Sequence, residues 1–109
     1  MPKRYLLNAC IEFYPVEHQL VAYGSQNLSI VLNAPVSRCL QLLIERRYTL
    51  VPQQEFYPYV WGEMGSSIPV STLYQNIALL RKALKAFVTS GEKMITTVPK
   101  QGVFPGTGR

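Results

Sequence analysis

The sequence predicts an α+β fold with an amino-terminal antiparallel sheet, three helices and a carboxy-terminal β-hairpin. Three observations carry that expectation. Apolar and polar residues alternate in short runs up to residue 33, apolar residues recur every three or four positions from 34 to about 91, and alternation returns around a Pro-Lys-Gln-Gly turn at 99–102. With 109 residues and 48% apolar content the chain is sized for one core. A single domain over 1–109 is therefore expected, with a sheet (1–33), a helical core (34–91), a hairpin (92–105) and a flexible tail (106–109).

In the first run Tyr5, Leu7, Ala9, Ile11 and Phe13 alternate with Leu6, Asn8, Cys10, Glu12 and Tyr14 until Pro15 stops it. Leu20, Val21, Ala22 and Tyr23 make a second run, ended by Gly24 and Ser25. Leu28, Ile30 and Leu32 alternate with Ser29 and Val31 in a third. Three short runs separated by turn residues imply a meander.

Asn33 can cap a helix whose first turn tolerates Pro35, and Val36, Leu40, Leu43 and Ile44 follow at helical spacing. That helix is expected over 34–47, with Arg46 and Arg47 at its negative end. A second is expected over 52–61, closed by Gly62. An interior proline removes a backbone hydrogen bond and costs about 3 kcal/mol, so Pro58 should kink or split it. Residues 62–67 read as loop. The third helix is expected from Pro69, capped by Ser67, to the Ser90-Gly91 stop. A strand at 94–98, turn chemistry at 99–102 and a return strand from Val103 and Phe104 complete a hairpin with Lys100 at its tip.

The third helix has two different faces. Leu73, Ile77, Leu80, Leu84 and Phe87 form an apolar stripe marked for burial, which is core and no sign of function. Opposite lie Thr72, Gln75, Asn76, Leu79 and Lys82, joined by Arg81 and Lys85. A structural helix usually covers its solvent side with mixed charges; amides and a hydroxyl followed by cations suit a reading surface.

The charge is placed to match. Residues 1–69 balance Lys3, Arg4, Arg38, Arg46 and Arg47 against Glu12, Glu17, Glu45, Glu55 and Glu63, whereas 70–109 set Arg81, Lys82, Lys85, Lys93, Lys100 and Arg109 against Glu92 alone. The net charge of +5 thus sits in the last third, where it attracts polyanions. The chain has no aspartate and one histidine, His18, which reads as a surface turn residue. An aspartate phospho-acceptor or a Ser-His-Asp triad is excluded within this segment, and no nucleophile, base and orienting group can be assembled. No enzyme, metal or cofactor is expected. Cys10 and Cys39 match no Cys-x-x-Cys spacing and read as buried thiols, a disulfide staying open if the two sites meet. No run of 18 apolar residues exists, and the first apolar stretch is broken by Asn8 and Glu12, so a cytoplasmic segment without membrane contact is expected.

Three helices followed by a basic-tipped hairpin describe a winged helix-turn-helix, with the third helix (69–89) in the major groove and the wing (99–102) on the backbone or minor groove. Val60-Trp61-Gly62, the helix from Ser71 to Leu84 and the closing Ile95-Thr-Thr-Val-Pro-Lys-Gln-Gly102 resemble, in order and spacing, the OmpR/PhoB-type winged-helix DNA-binding domain, most closely its ToxR/CadC-like branch. The resemblance covers about residues 28–105. It implies transcription regulation by binding promoter DNA, often as dimers or tandem units, with sensing carried elsewhere, in a receiver domain or beyond a membrane span of a longer, inner-membrane-anchored parent.

Carried over by position, the resemblance puts Thr72, Gln75, Asn76 and Leu79 against bases. It puts Ser71, Tyr74, Arg81, Lys82, Lys100 and Trp61 against the DNA backbone. Gln and Asn pair with adenine and Leu with a thymine methyl, which implies A/T-rich double-stranded sites. Ala78 and Leu79 stand where members often carry arginines, and Gln101 where the wing is often basic, so help from a second copy or a partner regulator is implied. A different class of function is a winged-helix module that binds another protein through Tyr57, Tyr59 and Leu79, with weak or no DNA binding.

Overall fold

The computed structural model describes residues 4–7, 10–24, 28–46, 49–87, 95–98 and 102–105, the last two stretches by their backbone alone. Among the described residues the elements follow one another as β1 (Tyr5–Leu7), β2 (Ile11–Tyr14), β3 (Gln19–Ala22), β4 (Ser29–Val31), α1 (Ala34–Glu45), β5 (Val51–Pro52), α2 (Gln53–Trp61), a 3-10 helix (Gly62–Ser67), α3 (Val70–Lys85), β6 (Ile95–Val98) and β7 (Gly102–Pro105).

β1 to β4 form an antiparallel meander in sequence order. The run expected to be one strand from residue 5 to 14 is two. The Cys10 N–H donates to the Leu7 carbonyl at 3.0 Å, and the chain doubles back so that Leu7 pairs with Ile11. Ile11, Phe13 and Leu20 point inward and are buried. On the opposite face the buried Glu12 carboxylate accepts from Arg4 at 2.9 Å and from the Tyr14 hydroxyl at 3.2 Å, tying β1 to β2. His18 is half-buried instead of on the surface, at φ 55° in a turn where its N–H donates to the Pro15 carbonyl at 3.2 Å.

α1 begins where Asn33 places its side-chain oxygen 2.9 Å from the Val36 N–H, the expected cap. It ends at Glu45, two residues short of the expected limit, and Arg47 lies outside the described residues. Arg46 sits at the C-cap of α1, at the helix end where it was expected, and its guanidinium also pairs with Glu55 on α2. Beside it the Tyr59 hydroxyl donates to Glu45 at 3.0 Å. α2 is continuous through Pro58, so the expected split does not occur. The presumed loop at 62–67 is a 3-10 helix packed on α2, and Gly62 turns into it at φ 61°.

One core joins the sheet to the helices: Ile11, Phe13 and Leu20 from the strands meet Val36, Cys39 and Leu43 of α1, Phe56 and Val60 of α2 and the stripe of α3. Leu73, Ile77, Leu80 and Leu84 are all buried, and Phe87 packs half-buried beside them. Each such side chain contributes about 1.5–3 kcal/mol of apolar burial, which sets how α3 is rotated.

The closing hairpin pairs β6 with β7 antiparallel, Ile95 opposite Pro105 and Val98 opposite Gly102. Its connection, with Lys100, lies outside the described residues, as does the tail 106–109; α3, expected to run to a stop at Ser90-Gly91, ends at Lys85 with Ala86 as its C-cap. A contact not foreseen anchors it: β5 pairs with β7, Val51 opposite Val103, giving a three-stranded sheet in the order β5-β7-β6. The arrangement is a winged helix-turn-helix.

Candidate nucleic-acid interface

α3 presents its second face because its first is fixed in the core. Ser71 and Gln75 are exposed, Thr72 is half-exposed, Leu79 is 50% exposed and Lys82 is exposed, so they form a strip along the helix opposite the buried leucines. Asn76 does not share that strip. It is only 8% exposed, three residues after Leu73 and four before Leu80, a spacing that puts it on the edge of the apolar stripe. Arg81 is half-exposed, with an interaction of its own.

The start of α3 differs from the expectation as well. Pro69 occupies the N-cap position and no side chain caps the first turn. Ser67, expected to do so, donates its hydroxyl to the Met64 carbonyl at 2.8 Å. The Thr72 N–H bonds to the Pro69 carbonyl at 3.0 Å, which leaves the earlier N–H groups of the turn without an intrahelical acceptor.

At the junction of α2 and α3, residues 53, 57 and 61 share one side of α2 at four-residue spacing. Tyr57 and Trp61 stack with ring centroids 6.2 Å apart and planes at 30°. Both pack half-buried against the core. Gln53 donates from Nε2 to the Tyr74 hydroxyl oxygen at 2.5 Å. Burial pushes the Tyr57 hydroxyl above its ordinary pKa, and the neighbouring Tyr74 adds to the rise. Arg38 donates from Nη1 to the Val60 carbonyl at 3.3 Å, supplying a donor to the carboxyl end of α2.

Gln53, Arg38 and β5 were not among the residues expected to matter. Their roles come from packing between elements far apart in the chain; Gln53 and Tyr74 are 21 positions apart.

The described surface holds no group of three His, Cys, Asp or Glu side chains able to bind a metal. No described helix is long and apolar enough to cross a membrane.

Residues 27–104 match the family model described as "Transcriptional regulatory protein, C terminal". The chain belongs to that family. It is of the OmpR/PhoB type and resembles the ToxR/CadC-like members, as the comparisons with individual proteins bear out. It is 40% identical over 98 residues to the uncharacterized protein YqeI of Escherichia coli, covering 90% of this chain and 36% of that protein. It is 35% identical over 99 residues to the cholera toxin homolog transcriptional activator of Vibrio parahaemolyticus, covering 91% and 34%, and 31% identical over 99 residues to the cholera toxin transcriptional activator of Vibrio cholerae, covering 91% and 33%. The chain thus spans about a third of the length of these relatives. Among solved structures, the DNA-binding domain of E. coli CadC superposes with a TM-score of 0.78 at 22% identity, covering 96% of this chain and 92% of that one, which shows the shared fold. The family is one of DNA-binding domains of transcription regulators, not of enzymes, and its partner is double-stranded DNA.

Proposed function

We propose that the chain reads promoter DNA by sequence, with α3 in the major groove and the β6–β7 hairpin on the adjacent backbone or minor groove. The observation that carries this reading is the strip of Thr72, Gln75 and Leu79 left exposed on α3 by the burial of its opposite face. Gln75 offers both an acceptor and donors to an adenine edge, and Leu79 offers a methyl surface to thymine, so A/T-rich sites are preferred. Asn76, buried at its place on the stripe, is left out of the base-reading set. Ser71, Tyr74, Arg81 and Lys82 hold the phosphates, together with the uncapped first turn of α3 and Lys100 of the hairpin. Trp61, the further backbone contact that the family resemblance implies, packs half-buried against the core and stacks on Tyr57.

Few cations face the DNA from α3, so binding as a dimer or tandem array, or beside a partner regulator, supplies the remaining affinity. Such a reader works where the chromosome is, in the cytoplasm, including as the cytoplasmic part of a longer protein.

Selection from random duplexes tests the proposal. Enrichment of a defined A/T-rich site, with affinity falling steeply as salt rises, is expected. No enrichment, and binding to another protein that is insensitive to salt, would favour the protein-contact alternative. That alternative has a reduced surface here, since Tyr57 and Tyr59 pack half-buried against the core and leave Leu79 as its exposed member.

A further inference from the structure

The hydroxyl of Tyr74, a proposed phosphate ligand, is already engaged by a side-chain contact, and the direction of that contact matters. Gln53 is the donor, through Nε2, and the Tyr74 hydroxyl oxygen is the acceptor. A phenol that accepts in this way keeps its own O–H proton to donate elsewhere. Gln53 is the first residue of α2, Tyr74 lies just past the first turn of α3, and both are half-buried. On the same side of α2 Tyr57 stacks on Trp61, and Tyr57 is close enough to Tyr74 for the two hydroxyls to interact electrostatically. An ordinary surface tyrosine would spread its hydroxyl over several rotamers and lose that freedom on binding.

We infer that Gln53 is a positioning residue for the DNA contact: its side-chain amide fixes the Tyr74 hydroxyl at the α2–α3 junction with the O–H proton directed outward to a phosphate oxygen. The inference rests on the proposed DNA reading. It adds a residue that touches no DNA itself and assigns the hydrogen-bond polarity on which the contact depends. A hydrogen bond from a neutral hydroxyl to an ionised phosphate is among the stronger ones, so orientation of that single proton has a measurable effect.

The test is a double-mutant cycle on the full chain, with the affinity for the selected duplex as readout. Tyr74→Phe is expected to weaken binding about tenfold, the size of one lost hydrogen bond to a charged acceptor. Gln53→Leu should weaken it about threefold or more in the parent chain and leave it nearly unchanged in the Tyr74→Phe background. Gln53→Glu keeps the shape but turns the amide into an acceptor that takes the Tyr74 proton, so its loss should equal or exceed that of Tyr74→Phe. A neutral methylphosphonate at the contacted phosphate should abolish the effects of both Tyr74→Phe and Gln53→Leu, which a purely structural role for Gln53 would not produce.

Parent-like binding by Gln53→Glu would overturn the inference. So would an undiminished loss from Gln53→Leu in the Tyr74→Phe background. If the parent chain binds no duplex at all, it is the DNA reading that fails, and the two failures are thereby distinguished.

Discussion

A Cβ added to Gly65 would lie 2.6 Å from the Tyr57 carbonyl oxygen and 2.7 Å from its carbonyl carbon, so the 3-10 helix and α2 meet backbone to backbone at that point. Gly65 is buried and needs no unusual φ; what it supplies is the absence of a side chain. The same contact braces Tyr57, which stacks on Trp61 beside the start of α3. Gly65→Ala must push two main-chain segments apart and is expected to cost about 1–3 kcal/mol, in the range of core overpacking. Urea unfolding monitored by circular dichroism measures it. Ser66→Ala, one exposed position further on, should change stability by less than about 0.5 kcal/mol.

Pro58 lies inside α2, exposed, with the helix continuous on both sides. The proline ring leaves the Gln54 carbonyl without the N–H an ordinary residue would offer. The helix nonetheless holds, because Phe56 and Val60 are buried on either side of it and Tyr59 and Glu55 bond to α1. Pro58→Ala should therefore stabilise the chain by roughly 2 kcal/mol, the helix-interior penalty of proline less the entropy it removes from the unfolded state. A lower melting temperature for this variant would show that the ring itself packs to advantage.

What could be read from the sequence was periodic, and what could not was a matter of packing between distant segments. The stripe Leu73, Ile77, Leu80 and Leu84 repeats often enough to fix both the existence of α3 and its orientation. Asn76 sits at the margin of that stripe, where a polar identity points to solvent and the geometry of its neighbours points to the core; geometry prevailed. β1 and β2 read as one strand because alternation runs unbroken from Tyr5 to Tyr14, and only the Leu7–Ile11 pairing shows the reversal. Gly62, Gly65 and Ser66 have the composition of a loop, yet the segment coils because Gly65 fits against Tyr57. β5 is two residues long, too short for any period, and exists through its pairing with β7. The Gln53–Tyr74 bond required two helices to be packed before it could be seen.

Cys39 is fully buried among the core residues of α1, and burial pushes its thiol up to about 12 from an ordinary 9.0. Cys10 and Cys39 are both free. The sign follows from proton counts: between those two values the unfolded chain has released the Cys39 proton and the folded chain has kept it. Stability from this group is intact below pH 9 and is lost as pH rises toward 12, by at most about 1.4 kcal/mol per pH unit. Tyr59, raised to about 12 by burial and then by its bond to Glu45, adds loss in the same direction above its ordinary 10.0. Denaturant titrations at pH 7, 9 and 10 should show the decline, and Cys39→Ala should flatten its onset while lowering stability at neutral pH through lost packing. Equal pH dependence in both chains would remove Cys39 as the cause.

The last prediction separates reading from holding on α3 and the wing. Gln75 is exposed on the strip opposite the core, so Gln75→Ala should cost roughly 1–3 kcal/mol at the selected site, little on scrambled duplex, and leave the salt slope nearly unchanged. Asn76 is buried, so Asn76→Ala should act on the fold: a lowered melting temperature, and affinity losses that are similar on both duplexes. Lys100 lies outside the described residues, at the wing position carried over from the family. As a phosphate ligand it carries no sequence information, so Lys100→Ala should weaken all duplexes alike and reduce the salt slope by about 1. Titrations of the three variants on selected and scrambled duplexes at several salt concentrations distinguish the roles. Equal losses on both duplexes for Gln75→Ala would mean that the exposed strip does not read bases, and a site-selective loss for Asn76→Ala would mean that α3 turns or the junction opens on DNA to bring that amide out of the core.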